Sequence, residues 1–195
     1  MLRLINVQGK QIAPYLDALG ALRITVFRDF PYLYDGDLDY EHDYLKAYTE
    51  CSNSLVVLAF HGDAVVGATT CMPLIDEGPE FQEPFIRAGH DPAKICYLGE
   101  SILLPQYRGR GLGKQFFKHR ENHARSLGLE TAAFCAVDRP SDHPLKPPGH
   151  RAMDRFWISR GYVKQPALQA VLHWKEVDAE GESAKTLTFW TKRLK

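Results

Sequence analysis

The chain has 195 residues, 45% of them hydrophobic and 25% charged, enough for one domain with a substantial core. Lys plus Arg and Asp plus Glu each number 24, so the formal net charge is zero and no global field draws the protein to nucleic acid or anionic lipid. The apolar N-terminal run is too short for a signal peptide, and no stretch approaches the roughly 20 apolar residues of a membrane span; the expectation is a cytoplasmic protein with no nucleic-acid and no membrane partner.

Leu2–Val7 predicts a first strand. Ile12, Tyr15, Leu16, Leu19, Leu22 and Val26 then recur at helical spacing, with Pro14 tolerated in the first turn, and this helix must end near Phe30 and Pro31. Residues 30–48 combine aromatics with an acidic run, Asp35, Asp37, Asp39, Glu41 and Asp43, before a short helix carrying Tyr44, Leu45 and Tyr48. Residues 54–60 and 64–71 are β-rich and joined by His61, Gly62 and Asp63, which suits a tight antiparallel hairpin. Residues 72–94, rich in Pro and Gly, predict a surface excursion with a helical turn around 81–87.

Residues 95–104 resume as a strand, followed by a helix over about 111–127 and a strand over 130–137. Two strands linked by a helix of this length should be parallel neighbours. A helix at about 150–160 follows, with Met153, Phe156 and Trp157 on one face and Gly161 as its stop. Two strands, 167–177 and 185–194, close the sheet. The four cysteines, Cys51, Cys71, Cys96 and Cys135, are far apart with no Cys-x-x-Cys pair, which predicts free thiols and no metal site.

The most informative segment runs from Pro105 to Lys114, PQYRGRGLGK, between a predicted strand and a predicted helix. Glycines there let the backbone approach a ligand without an obstructing Cβ, and the helix start offers unpaired N–H groups and a positive dipole end. Such a turn binds phosphate. A P-loop would need Gly in place of Arg108 and Ser or Thr in place of Gln115, and a dinucleotide fingerprint would need Gly in place of Lys114. What remains, Arg108, Gly111 and Gly113 in Arg-x-x-Gly-x-Gly, resembles the pyrophosphate-binding motif of the GNAT superfamily of acyl-CoA N-acyltransferases. Residues 151–162, ending in Phe156, Trp157, Gly161 and Tyr162, look like that superfamily's following helix, and the order of elements fits its plan.

The resemblance implies one α/β (α+β) domain over residues 1–195, a mixed and mostly antiparallel sheet of about seven strands flanked by helices, with one parallel β-α-β pair. Its two parallel strands, 95–104 and 130–137, would splay apart around the acyl-pantetheine arm. The implied reaction moves an acetyl or other short acyl group from acetyl-CoA to a primary amine, on a small molecule or a protein, by direct transfer in a ternary complex. No metal takes part, and a homodimer is compatible with the family. Phosphates would rest on N–H groups of Arg108, Gly109, Arg110, Gly111, Leu112, Gly113 and Lys114, with Arg110 and Lys114 as charge partners, although Lys114 equally suits a solvated helix position. A bulge at the strand end would free an N–H of Leu103 or Leu104 for the thioester oxygen.

Glu100 is the one carboxylate in the strand leading to the glycine turn, which makes it the candidate general base; a structural pairing with an arginine is the competing reading. Family members often carry a glutamate earlier on this strand, where Tyr97 stands here. His143, in the loop after residue 137, is the second candidate base. Where the family often has a tyrosine as general acid, this chain has Trp157, whose indole cannot protonate a thiolate. Tyr162 or water would then supply the proton, or the thiolate would leave unprotonated, or the fold would be a catalytically silent acyl-CoA sensor. Trp157 itself reads as core packing. Cys135, on the second splayed strand, could act as a covalent nucleophile or simply be a buried thiol. The acidic, aromatic segment around residues 32–44 either attracts a cationic acceptor or is a solvated loop.

Overall fold

The computed structural model describes residues 1–195. Strand β1 (Leu2–Val7) leads through a 3-10 segment, Gly9–Tyr15, into α1 (Leu16–Phe27). Pro14 falls in the 3-10 segment, so the α-helix proper begins after it. Helix α2 (Leu38–Glu50) follows, then the hairpin β2 (Leu55–His61) and β3 (Ala64–Pro73), with Gly62 at φ +63° in its turn. Helix α3 (Pro79–Arg87) fills the excursion, and β4 (Ile95–Tyr97), β5 (Ser101–Leu103), α4 (Leu112–Ser126), β6 (Thr131–Val137), α5 (Asp154–Ser159), β7 (Val163–Lys175) and β8 (Glu182–Arg193) complete the chain.

Helix α2 is longer than its apolar residues alone predict, because the acidic run belongs to it. Asp37 is its N-cap and accepts the Tyr40 N–H at 3.0 Å, while Asp39 and Glu41 occupy the first turn, where the helix dipole favours negative charge. The acidic residues thus form a helix start in place of a loop.

The sheet has eight strands in the order β1-β2-β3-β4-β6-β8-β7, with β5 paired to β3 alone. It is antiparallel throughout except for β4 and β6, which pair in parallel from Ile95 with Thr131 to Tyr97 with Ala133. The eighth strand arises because residues 95–104 break in the middle. Met72 pairs with Tyr97 and Thr69 with Ser101, so Leu98, Gly99 and Glu100 face only Thr70 and Cys71. The Thr70 N–H donates to the Glu100 carbonyl and the Thr70 carbonyl accepts the Gly99 N–H, both at 3.1 Å, so two residues oppose one. This is a β-bulge. It sits at Gly99 and Glu100, not at Leu103 or Leu104, where the sequence reading expected it. Gly99 allows it, since a Cβ there would strike the Tyr48 hydroxyl and the Thr70 Oγ1.

Both faces of the sheet are covered. In β2, Leu55, Val57 and Ala59 join Phe116, Phe117 and Ala124 of α4 on one side, whereas Val56, Leu58 and Phe60 join Leu19, Leu22 and Leu45 of α1 and α2 on the other. A strand buried on both faces needs a continuous apolar run, which LVVLAF supplies. A third cluster seats Phe81 and Phe85 of α3 on Tyr97, Ala133 and Phe189. All four cysteines are free thiols. No helix is long and apolar enough to cross a membrane.

Candidate active site

At the bulge the chain that runs on from β4 parts from β6. The last bond between them runs from the Leu98 N–H to the Ala133 carbonyl at 2.7 Å, after which β6 continues from Phe134 to Val137 against β8 only. The outer edge of β5 and the facing edge of β6 therefore bound an open gap. Along β5, the Leu104 N–H is held by the Val66 carbonyl at 3.0 Å. Antiparallel alternation then turns the Leu103 N–H away from β3, toward the gap. Of the two backbone donors expected from the sequence, Leu103 faces the gap and Leu104 is committed to the sheet.

The glycine turn stands at the end of that gap. A 3-10 turn, Pro105–Tyr107, leads to Arg108, whose Nε donates back to the Leu103 carbonyl at 3.1 Å and ties the turn to the strand end. Gly109 and Gly111 hold φ of +75° and +83°, a region L-residues avoid, and Gly111 is the N-cap of α4. The N–H groups from Gly109 through Gly113 donate to no acceptor in the protein. Consecutive free amides at the start of a fifteen-residue helix, with the positive dipole end behind them, are the kind of arrangement that favours an anion. Leu112 is buried and anchors the turn to the core. The Arg110 guanidinium lies over the Tyr107 ring and donates to the Gln106 carbonyl, whereas Lys114 faces a separate polar groove with Lys118 and Arg125.

On the α1/α2 face the gap opens into a cavity of about 410 Å³. Tyr97, Gly99 and Glu100 from one strand and Cys135 from the other form its floor; Phe27, Tyr32, Tyr34, Tyr40, Tyr44 and Trp174 stand among its walls. Glu100, only 5% exposed, is the hub of a buried network. Arg23 of α1 bridges Glu100 and Glu41, the latter fully buried; Tyr44 donates to Glu100 at 2.7 Å and Thr70 donates to its second oxygen. Arg120 of α4 donates to the Glu100 carbonyl at 3.3 Å from the opposite face. Glu100 thus pairs with an arginine, as the competing sequence reading expected, and it is also one of the residues that line the cavity. Burial, followed by repulsion from the Glu100 carboxylate, lifts the Tyr44 hydroxyl well above the usual phenol range, so it stays a donor.

His143 lies apart from this floor. Its ring stands 5.6 Å from that of Phe30 and its Nδ1 accepts the Leu145 N–H at 3.2 Å. The structure does not bring it together with Glu100. Tyr162 is 1% exposed and its hydroxyl donates to Glu121 at 3.1 Å, which removes it as a proton donor for a thiolate in the gap. Trp157 packs edge-on against Phe134 and Trp190, 5.0 and 5.1 Å between centroids. Burial pushes the Cys135 thiol up to about 12, so it holds its proton at neutral pH and is a poor nucleophile.

Sequence reasoning missed Arg23 and Glu77, and took Glu41 only as one member of the acidic run. Arg23 sits among apolar residues of α1 with no local sign of its partners, which lie 18 and 77 residues away. Burial, together with the nearby Glu100 carboxylate, raises Glu77 to about 7, and the Tyr48 hydroxyl donates to it at 3.1 Å. Proline and glycine around Glu77 signalled only a loop.

The acetyltransferase (GNAT) family profile matches residues 22–147, which takes in Arg23, the bulge, the glycine turn and the gap. The chain belongs to the GNAT acetyltransferase family. Its GNAT fold recurs in an N-acetyltransferase from Staphylococcus aureus Mu50, with TM-score 0.62 at 12% identity over 99% of both chains. A ribosomal-protein-alanine N-acetyltransferase from Brucella melitensis aligns at TM-score 0.62 and 16% identity, over 97% of this chain and 99% of that one. The yncA protein from Salmonella typhimurium, whose structure contains acetyl-CoA, aligns at 0.61 and 14% over 99% and 95%. At such identities the likeness is one of fold. No curated protein matches the chain in sequence. The GNAT family uses acetyl-CoA, which the yncA structure contains.

Proposed function

We propose that this GNAT protein transfers an acetyl or other short acyl group from acyl-CoA to the primary amine of an acceptor, directly, within a ternary complex. The observation that carries this reading is the run of free amides from Gly109 through Gly113, placed where the gap between β5 and β6 ends. In this reading the diphosphate rests on those amides and the pantetheine arm enters the gap. Its thioester oxygen then meets the Leu103 N–H, a fixed donor that needs no reorganisation as the tetrahedral oxyanion forms.

The acceptor amine approaches from the cavity, where Glu100 attracts the ammonium and, through its contacts with Tyr44 and Thr70, offers the nearest route for the departing proton. The ammonium first gives one proton to solvent; the freed lone pair then bonds to the acyl carbon, the nitrogen's second proton leaves by way of Glu100, and the carbon–sulfur bond breaks to release coenzyme A as the thiolate. With Tyr162 committed to Glu121 and Trp157 in the core, water is the proton source for the thiolate. The protein's main contributions are alignment and electrostatics.

Titration calorimetry with acetyl-CoA, together with thiol release in the presence of amines, tests this. Gly111→Val should weaken coenzyme A binding by at least about tenfold, since a branched side chain cannot hold the backbone of that turn, with the far-UV spectrum retained. Unchanged affinity would remove the assignment of the turn. Binding without thiol release from any amine would favour the silent-sensor reading, which the replacement of the usual tyrosine by Trp157 motivates.

A further inference from the structure

We infer that the acceptor is a compact monoamine, cationic at its nitrogen and aromatic or branched-aliphatic over the rest of its body. This rests on the acyl-transfer reading and specifies its second substrate. The cavity of about 410 Å³ lies toward the small end of ligand sites, which run from roughly 300 to 1,000 Å³, and twelve of its seventeen lining residues are hydrophobic. Its aromatic walls come from separate parts of the chain: Phe27 of α1, Tyr32 and Tyr34 after it, Tyr40 and Tyr44 of α2, Phe81 of α3, and Trp174 of β7.

Charge decides which end of the ligand goes where. The one arginine in the wall, Arg23, is already claimed by two carboxylates, Glu41 and Glu100, and its guanidinium is stacked 4.1 Å from the centroid of the Tyr44 ring. The trio therefore carries a net negative charge, and Glu80 at the rim adds another. Aromatic faces reinforce the preference for a cation. An ammonium is drawn to the floor beside Glu100, Gly99 and Cys135, which is where the gap between the strands opens, and an anionic acceptor is repelled.

Three polar groups of the walls are already committed to partners, while the Tyr32, Tyr34 and Tyr40 hydroxyls also line the cavity. The Tyr44 hydroxyl donates to Glu100, the Trp174 indole N–H donates to the Tyr32 carbonyl at 3.0 Å, and the Tyr97 hydroxyl contacts the Cys135 sulfur at 3.4 Å. A sugar hydroxyl or a second ammonium set against those three committed groups would give up water for no replacement, a loss on the order of tenfold or more in affinity for each group. Hydrocarbon suffers no such penalty.

The test uses the full chain with saturating acetyl-CoA and follows thiol release with 2-phenylethylamine and 3-methylbutylamine against spermidine, an aminoglycoside, and peptides offering an N-terminal alanine or an internal lysine. The two apolar monoamines should exceed every other acceptor in kcat/KM by about tenfold or more. Glu80→Gln should raise KM for phenylethylamine about three- to tenfold, leaving KM for acetyl-CoA unchanged. Val171, 51% exposed on the cavity rim, provides a charge-reversal pair with little risk to folding: Val171→Lys should weaken phenylethylamine use more than Val171→Glu does. Preference for spermidine, the aminoglycoside or a peptide would overturn the inference while leaving acyl transfer standing. If coenzyme A binds but no acceptor releases thiol, calorimetry of phenylethylamine into the coenzyme A complex decides. Saturable binding weakened by Val171→Lys supports the cavity assignment without the reaction, and absence of binding rejects it.

Discussion

Arg23 is the residue on which the interior of the site turns. Its guanidinium is buried between Glu41 and Glu100, and attraction to these carboxylates outweighs desolvation so that its pKa rises further above the usual arginine range. A buried pair is weak evidence of net stabilisation, but breaking one is costly because a charge is left without a partner. Arg23→Met should therefore cost about 3–5 kcal/mol in chemical denaturation. A loss below about 1 kcal/mol would mean that water reaches the two carboxylates freely. Glu77 offers a second test. Burial and repulsion from Glu100 raise it from 4.5 to about 7, so the native carboxyl keeps its proton where the unfolded one has lost it. Its contribution to stability is complete below pH 4.5 and is lost as pH rises to about 7. Glu77→Gln removes that titration while its amide oxygen can still accept from Tyr48. Thermal melts of the variant should fall less between pH 5 and pH 8 than those of the parent; parallel pH dependences would contradict the shift.

At the scale of elements, two glycines of the same turn do different work. Gly111 caps α4 with positive φ, and an L-residue there is strained by about 1–2 kcal/mol even though a Cβ would meet open space. Gly113 lies inside the first turn, where a Cβ would stand 3.5 Å from Phe156, an ordinary contact. Gly113→Ala should accordingly hold or raise stability by up to about 1 kcal/mol, and Gly111→Ala should lower it, as read from denaturation midpoints. Equal effects would show that conformation is not what selects glycine at Gly111. The bulge is the other decisive element. By setting Gly99 and Glu100 against Thr70 alone, it parts β5 from β6 and turns Glu100 toward Arg23 and the cavity.

In the whole molecule, the segment between α1 and α2 is strapped to the C-terminal sheet. Arg139 donates to the carbonyls of Pro31 and Tyr32, at 2.7 and 3.0 Å, and pairs with Glu176, while Tyr34 forms an isolated bridge with Glu176. This strap closes the aromatic side of the cavity without touching the glycine turn. Under the proposed function, with coenzyme A at the glycine turn and the acceptor in the cavity, Arg139→Ala should raise KM for an acceptor severalfold and leave acetyl-CoA affinity unchanged; a parallel loss in both would place the strap in the coenzyme A site.

Much of this was written locally. The alternation and runs of β2 and β3, the helical period of α1, and the order of elements around the parallel pair follow from backbone periods of two and 3.6, which the chain carries in its own residue spacing. The glycine turn was equally legible, since positive φ and bare amides are properties of consecutive residues. The acidic run was misjudged because a helix N-terminus and an acidic loop share a composition, and only the cap bond at Asp37 separates them.

What the sequence by itself determined is the framework and the glycine turn with its free amides: local conformational preference and hydrophobic period are properties of neighbouring residues. Tertiary structure decided that Glu100 answers to Arg23 and Glu41, that the strand breaks at Gly99, and that Tyr44 and Trp174 face one cavity. Those outcomes depend on which distant segments the sheet brings within a few ångströms. Coulombic and packing energies are set by that separation, which no spacing along the chain encodes.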